Sequence, residues 1–362
     1  MENFSNFVDL ASSFLYSYFL VFLLLICGLY FTIRTGFVQF WFLPLSFSIL
    51  REKSHKEHIS PFEALMVSTA SRVGIGNIVG VAVAISAGGA GALFWMWVTA
   101  ILGGASAFIE STLAQVYKRK DGEYGYKGGP AYYIQSALNS KLFGIIFAIS
   151  LIFCFACGFN GLQSYTLTSS FEIFVGSESF ANSQITIYIG ALLGFLCAFI
   201  FFGGNKTSAS ISSLLVPIMA FGYLAVACFI VAVNYAEIPR ILEEIFTKAF
   251  DLESIFGGFA GSAIIVGIKR GLYSNEAGMG SAPNAAATAH TTHPAKQGMV
   301  QTLSVFIDTL IICSASAIVV LCSAEDLNGF KGMPLIQKVM EGHLGQFGLY
   351  FVSIVIVLFA FT

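Results

Sequence analysis

The chain has 362 residues, of which 56% are hydrophobic and 10% charged, with a formal net charge of −2. A soluble domain carries about 25% charged residues, so these few cannot solvate a globule of this size, and lipid is the fitting solvent. A balance so close to neutral presents no basic surface to nucleic acid.

A membrane-spanning helix needs about 20 mostly apolar residues. Eight such runs and the start of a ninth are present, at approximately 13–33, 62–87, 91–116, 143–170, 184–203, 208–234, 255–285, 298–323 and 345–362. No Lys or Arg precedes the first run and no small-residue cleavage site follows it, so it is expected to stay as a helix. When alternate loops are assigned to the cytoplasm, thirteen of the 18 Lys and Arg fall on that side, including Arg51, Lys118, Lys206, Lys269, Arg270 and Lys296. Four (Arg240, Lys248, Lys331, Lys338) fall on the other, and Arg72 lies inside a helix. Basic residues resist translocation, so this bias predicts a multi-pass protein of the plasma (inner) membrane with its N-terminus outside.

Two segments are interrupted. The second contains Ser71-Arg72-Val73-Gly74-Ile75-Gly76-Asn77, and the seventh contains Gly257-Gly258-Phe259-Ala260-Gly261-Ser262. They stand five segments apart, so they enter from opposite faces, as in an inverted repeat, and broken helices at matching positions point to a transporter's substrate site. The expected fold is an all-α polytopic membrane protein built on two five-helix repeats. Its expected divisions are an N-terminal helix and basic loop (1–59), a first repeat (60–240) and an incomplete second repeat (241–362). Only three helices fit in that last division, so the chain is expected to be C-terminally truncated, with about nine of eleven helices present.

Unwound peptide inside hydrocarbon is tolerated where it lines a cavity. Gly74 and Gly76 let the backbone open beside a ligand. The half-helix that follows points free N–H groups and its positive dipole end at the gap, which suits a carboxylate. Carbonyls released before the gap suit Na⁺, and the Asn77 amide oxygen adds a further ligand. Asp308, in mid-helix, is either a cation ligand or a structural partner for Arg72. Asn160 and Gln163 share a helix face as either an interhelical clamp or a substrate contact, the latter favoured for Gln163. Glu110 suits a structural pairing, and Lys269, Arg270 and Glu276 suit a cytoplasmic gate or anchor.

Nothing in the sequence suggests an enzyme. The Cys154/Cys157 pair has no second pair and no nearby His, so these are read as packing residues. His290 and His293 are read as a solvated connection. The run Gly125–Pro130 lacks the Walker pattern and is read as a turn before a helix lying along the cytoplasmic surface.

Three blocks make the sequence resemble the alanine or glycine:cation (sodium:alanine) symporter family, within the amino acid-polyamine-organocation superfamily. They are Val73 to Ala82, Gly88 to Thr99, and Arg270 to Ala287 with His293 to Gly298; Gly128 to Ile134 is similar too. The resemblance implies a leucine-transporter-type 5+5 fold of eleven helices. It also implies import of alanine or glycine with Na⁺ as coupling ion, no cofactor, and membrane lipid as the surroundings. By similarity, carboxylate contacts fall at Ile75, Gly76 and Asn77, sodium contacts around Ala70 and Val73, and a substrate contact at Gln163. Gly258, Gly261 and Ser262 would form the opposite wall. Ile75 departs from the small hydroxyl residue of many relatives, and the chain stops where relatives continue with a threonine-containing stretch. The alternatives are another solute in the same mechanism, such as D-alanine or glutamine, or proton-driven amino acid transport, and an inactive truncated remnant. A pore fits less well, because channels repeat their filter by oligomer symmetry.

Overall fold

The computed structural model describes residues 2–52, 58–122, 125–176, 180, 184–250, 262–323, 330 and 332–361. Among these, four helices are long and apolar enough to cross a membrane: Gly91–Val116, Lys141–Val175, Lys206–Val233 and Pro294–Leu321. A fifth span is the bent pair Pro61–Arg72 and Ile75–Gly88, which meet at 66°. Shorter apolar helices, Leu20–Arg34, Ile185–Ile200 and Gln346–Phe361, match the first, fifth and ninth runs. The seventh run, expected as one span, forms two helices, Ala263–Asn275 and Ala282–Thr288, with Glu276 in the left-handed region between them. Of its expected break, Gly257 to Gly261 lie outside the described residues. The turn at Gly125 belongs to a small hairpin, Arg119–Asp121 with Gly125–Lys127, and the Pro130–Ala137 helix follows as anticipated.

The Gly91–Val116 helix is the central post, and its small residues explain why. Membrane helices gain little from hydrophobicity against one another, so they associate where small side chains let backbones approach. A Cβ on Gly267 would lie 2.3 Å from the Ala92 carbonyl oxygen, and one on Gly298 would lie 2.6 Å from that of Phe108. Indole N–H groups lock the post laterally: Trp95 donates to the Ala249 carbonyl (2.8 Å) and Trp97 to the Ser314 hydroxyl (2.7 Å).

The order of contacts along the post gives the depth of the seventh segment. Gly91 meets Lys248, Gly267 meets Ala92 and Trp95, and Gly271 meets Thr99. Gln115, at the far end, donates to the Ala289 carbonyl at 3.0 Å. Ala263–Asn275 therefore runs down the half of the post nearer Gly91. This corrects the assignment of Lys269 and Arg270 to a cytoplasmic loop, because both sit on the Ala263–Asn275 helix, along the Gly91 half of the post. Without them the loop count is eleven against four, and the bias keeps its direction.

At the far end of the post, Ser60 and Glu63 form a reciprocal cap on Pro61–Arg72. Lys206 bonds both Glu63 (2.8 Å) and the His58 carbonyl (2.9 Å), and the His290 N–H donates to the Ile59 carbonyl (2.9 Å). His290 is packed rather than simply solvated, its ring 4.7 Å from that of His58. The perimeter is apolar and exposed, as at Ile152, Phe195, Phe199 and Phe221, and carries the exposed Cys154 and Cys157.

Candidate functional site

The Pro61–Arg72 helix stops at Val73, Gly74 is extended, and one 3-10 turn, Ile75–Asn77, leads into Val79–Gly88. Gly74 is there for space rather than for an unusual φ: a Cβ would lie 2.4 Å from the Gln163 side-chain nitrogen. The break frees backbone groups that a continuous helix would pair. Gln163 Oε1 accepts the Ile75 N–H at 3.2 Å. Among the described residues, no backbone N–H donates to the carbonyls of Ala70, Ser71 or Val73. The Gly76 carbonyl accepts from the Arg270 guanidinium.

Asn77 donates its side-chain amide to Asp308, which also accepts from the hydroxyls of Ser274 (2.5 Å) and Thr309 (3.2 Å). Asp308 is fully buried, so these donors supply the stabilisation that water would give a carboxylate. Arg72 is not its hydrogen-bonded partner. Its Nη1 donates at 3.4 Å to the Gln301 carbonyl and side-chain oxygens, and its Nε and Nη2 are buried with no hydrogen-bond partner among the described residues. Glu276 accepts from Ser281 and, at 3.4 Å, from Ser71, rather than pairing with Lys269 or Arg270. Glu110 faces the backbone of Gly278 and Gly280.

Cavities flank the break. One of 260 Å³ is lined by Ala70, Ser71, Phe155, Phe159, Asn160 and Gln163. It shares Val67, Ser71, Phe155 and Ser208 with a cavity of 420 Å³ that reaches Ile59 and Thr288. Beyond the break, towards the Gly91 end of the post, lies a third of 450 Å³ that includes Tyr16, Lys269, Arg270 and Tyr273. Stacked rings divide the two sides: Phe155 on Phe159 (4.6 Å), Phe159 on Tyr273 (5.2 Å), with the Arg270 guanidinium 4.9 Å from the Tyr273 ring.

The model of the sodium:alanine symporter family matches residues 1–362. The chain belongs to that family. It is 44% identical over 364 residues to the amino-acid carrier protein AlsT of Bacillus subtilis (strain 168), covering 100% of this chain and 76% of that protein. It is 43% identical over 358 residues to the probable sodium/glutamine symporter GlnT of the same organism, covering 98% and 73%. With the sodium/alanine symporter AgcS of Methanococcus maripaludis the identity is 36% over 335 residues, covering 91% and 73%. The chain is thus an amino-acid symporter, a multi-pass membrane transporter and not an enzyme.

In this symporter the structure brings Gly74, Ile75, Gly76, Asn77, Gln163 and Asp308 together at the break, with Ala70 lining the adjoining cavity and Val73 buried at the turn. It does not bring Ser262 there. That residue caps Ala263–Asn275 by accepting from the Ile265 N–H at 3.5 Å, and it precedes Arg270 by about 12 Å at 1.5 Å per residue. Gly258 and Gly261 lie outside the described residues. The wall facing the break is instead Arg270, Tyr273 and Ser274. All three lie in the block Arg270 to Ala287, where the sequence alone assigns no role to Tyr273 or Ser274. Their spacing of three and four residues, one face of a helix, was the available signal.

Proposed function

We propose that the chain imports small neutral amino acids, alanine and glycine, together with Na⁺, by alternating access in the plasma membrane with its N-terminus outside. One observation carries the reading: Gln163 holds the Ile75 N–H at the mouth of a 260 Å³ cavity. A side-chain oxygen thus occupies the position that a substrate carboxylate would take at the N-terminus of a half-helix. Alanine and glycine suit a cavity of this size, whose lining mixes Ser71, Asn160, Gln163, Ser208 and Ser212 with apolar groups; Gly74, Ile75, Gly76, Asn77 and Gln163 would hold the carboxylate end.

The carbonyls of Ala70 and Val73, without a hydrogen-bond donor among the described residues, would with Asn77 and Asp308 supply oxygen ligands for Na⁺. The family name and that of the archaeal relative support sodium and alanine. The relative named as a probable sodium/glutamine symporter favours glutamine as the second reading. Two inverted five-helix sets, 60–240 and the stretch from 241, behind a leading helix, belong to this reading; the broken span that opens the first set is what supports them.

The experiment is uptake of labelled alanine, glycine and glutamine into proteoliposomes, with and without an inward sodium gradient. It uses the 362-residue chain and a form extended by a relative's last two helices. Sodium-dependent alanine or glycine uptake supports the reading. Glutamine uptake alone, or no uptake by a folded extended form, overturns it.

A further inference from the structure

We propose that the 450 Å³ cavity on the Gly91 side of the break is a second anion site, which takes the carboxylate of the amino acid before it reaches the break. This rests on the transport reading above and adds a station to it. The cavity includes two basic side chains, Lys269 and Arg270, two phenols, Tyr16 and Tyr273, and otherwise small or aliphatic residues such as Gly80 and Ala84. Among the described residues neither cation forms an ion pair with a carboxylate. The acids nearest in the fold are engaged elsewhere: Asp308 with Asn77, Ser274 and Thr309, and Glu276 with Ser71 and Ser281.

Arg270 has one nitrogen spent on the Gly76 carbonyl and its guanidinium over the Tyr273 ring, whereas its Nε is buried with no hydrogen-bond partner among the described residues. Among the described residues the two like charges have no salt-bridged carboxylate, and basic residues within a membrane bundle mark ion or substrate pathways. A planar carboxylate is the ligand that a guanidinium edge and a neighbouring ammonium fit.

The location sets the order of events. Val83, Ala87 and Val266 carry the cavity away from the break towards Gly88, near the Gly91 end of the post. The Phe159–Tyr273 stack separates it from the cavity at Gln163. An amino acid coming from this side meets Lys269 and Arg270 first and passes the stacked rings second. The leading helix, through Tyr16, walls the cavity laterally, which favours a small free carboxylate over a lipid phosphate.

The test reads Lys269 directly, in the full chain in phosphatidylcholine nanodiscs. The rate of acetylation of each lysine by a small amine reagent is followed by peptide mass spectrometry, with exposed Lys127 as the internal standard. The additions are alanine, propionate (carboxylate without amine) and alaninamide (amine without carboxylate). Alanine and propionate are expected to slow Lys269 acetylation at least threefold, alaninamide to leave it unchanged, and the protection to survive Gln163→Ala.

Absence of protection by either carboxylate overturns the proposal, and so does protection that vanishes in Gln163→Ala, since it would then come from the break. Protection that appears only in phosphatidylglycerol discs assigns the cavity to a lipid headgroup and also overturns it. Propionate needs neither sodium nor transport, so failure of the alanine reading in the uptake assay stays distinguishable from failure here.

Discussion

Asn77, on the single 3-10 turn of the interrupted span, donates its side-chain amide to Asp308 on a helix 231 residues further along the chain. The unwound segment is thereby tied to the π-helical stretch Phe306–Cys313, and through Ser274 to the helix that carries Arg270. If Na⁺ binds here, removing the charge of Asp308 costs a charged ligand. A hydrogen bond to a charged group contributes roughly 1.5–3 kcal/mol, or about 10- to 100-fold in an equilibrium constant. Asp308→Asn is therefore expected to raise the sodium concentration for half-maximal uptake at least about tenfold. An unchanged sodium dependence would remove Asp308 from the cation site.

Gln163 and Gly74 form one device, since the space left by Gly74 lets Gln163 reach the Ile75 N–H. Gln163→Ala removes the side chain that would hold the substrate's carboxylate end, a hydrogen bond worth about 1 kcal/mol, and is expected to raise the substrate KM roughly fivefold, with little change in Tm. Gly74→Ala displaces the same side chain, so it should reproduce that effect. The double variant should be no worse than either alone, because the two changes remove one interaction. Additive KM effects in a transport-based double-mutant cycle would separate the two residues.

The hydrophobic runs, the break at Gly74 and the candidacy of Asn77, Gln163 and Asp308, which the structure places beside that break, were legible because each leaves a local mark: length, glycine spacing, or a polar atom in an apolar run. The π-helical stretches left none. Leu15–Phe19, Cys154–Phe159 and Phe306–Cys313 each place a residue beside the break or a flanking cavity, namely Tyr16, Phe155 with Phe159, and Asp308. A π turn is an extra residue accommodated by tertiary packing, frequently at functional sites, and an apolar run looks the same with or without it. The depth of Arg270 was misjudged for a related reason. A charge between apolar residues resembles a loop until the packing of Gly267 and Gly271 on the post fixes its level.

That packing yields a prediction with a built-in control. A Cβ at Gly267 meets the Ala92 carbonyl oxygen at 2.3 Å, a backbone atom that cannot rotate away. Gly267→Ala is expected to lower stability by about 1–3 kcal/mol or more, as overpacking does, seen as a Tm drop of several degrees in detergent. Gly190 and Gly194, in the Ile185–Phe202 helix, have nothing within 4 Å of an added Cβ. Alanine there should be neutral or stabilising by up to about 1 kcal/mol. Equal Tm changes at Gly267 and Gly190 would contradict the close approach of the two helices.

Two lysines nine positions apart beside the hairpin are expected to titrate in opposite directions. Lys118 is partly buried against Gln115 and the Ala289 carbonyl, and that burial pulls its pKa down to about 8 from 10.5. Lys127 is fully exposed and bonded to Asp121 at 2.9 Å, and that bond raises its pKa above 10.5. For Lys118 the unfolded chain binds the extra proton between about pH 8 and 10.5, so its contribution to stability rises with pH across that window. Lys127 behaves in the opposite sense, and its contribution fades as pH climbs through the folded-state value. Acetylation rates followed by peptide mass spectrometry from pH 6 to 11 should place the Lys118 midpoint near 8 and that of Lys127 beyond 10.5. Coincident midpoints would mean that Lys118 is solvated rather than packed against the end of the Ala282–Thr288 helix.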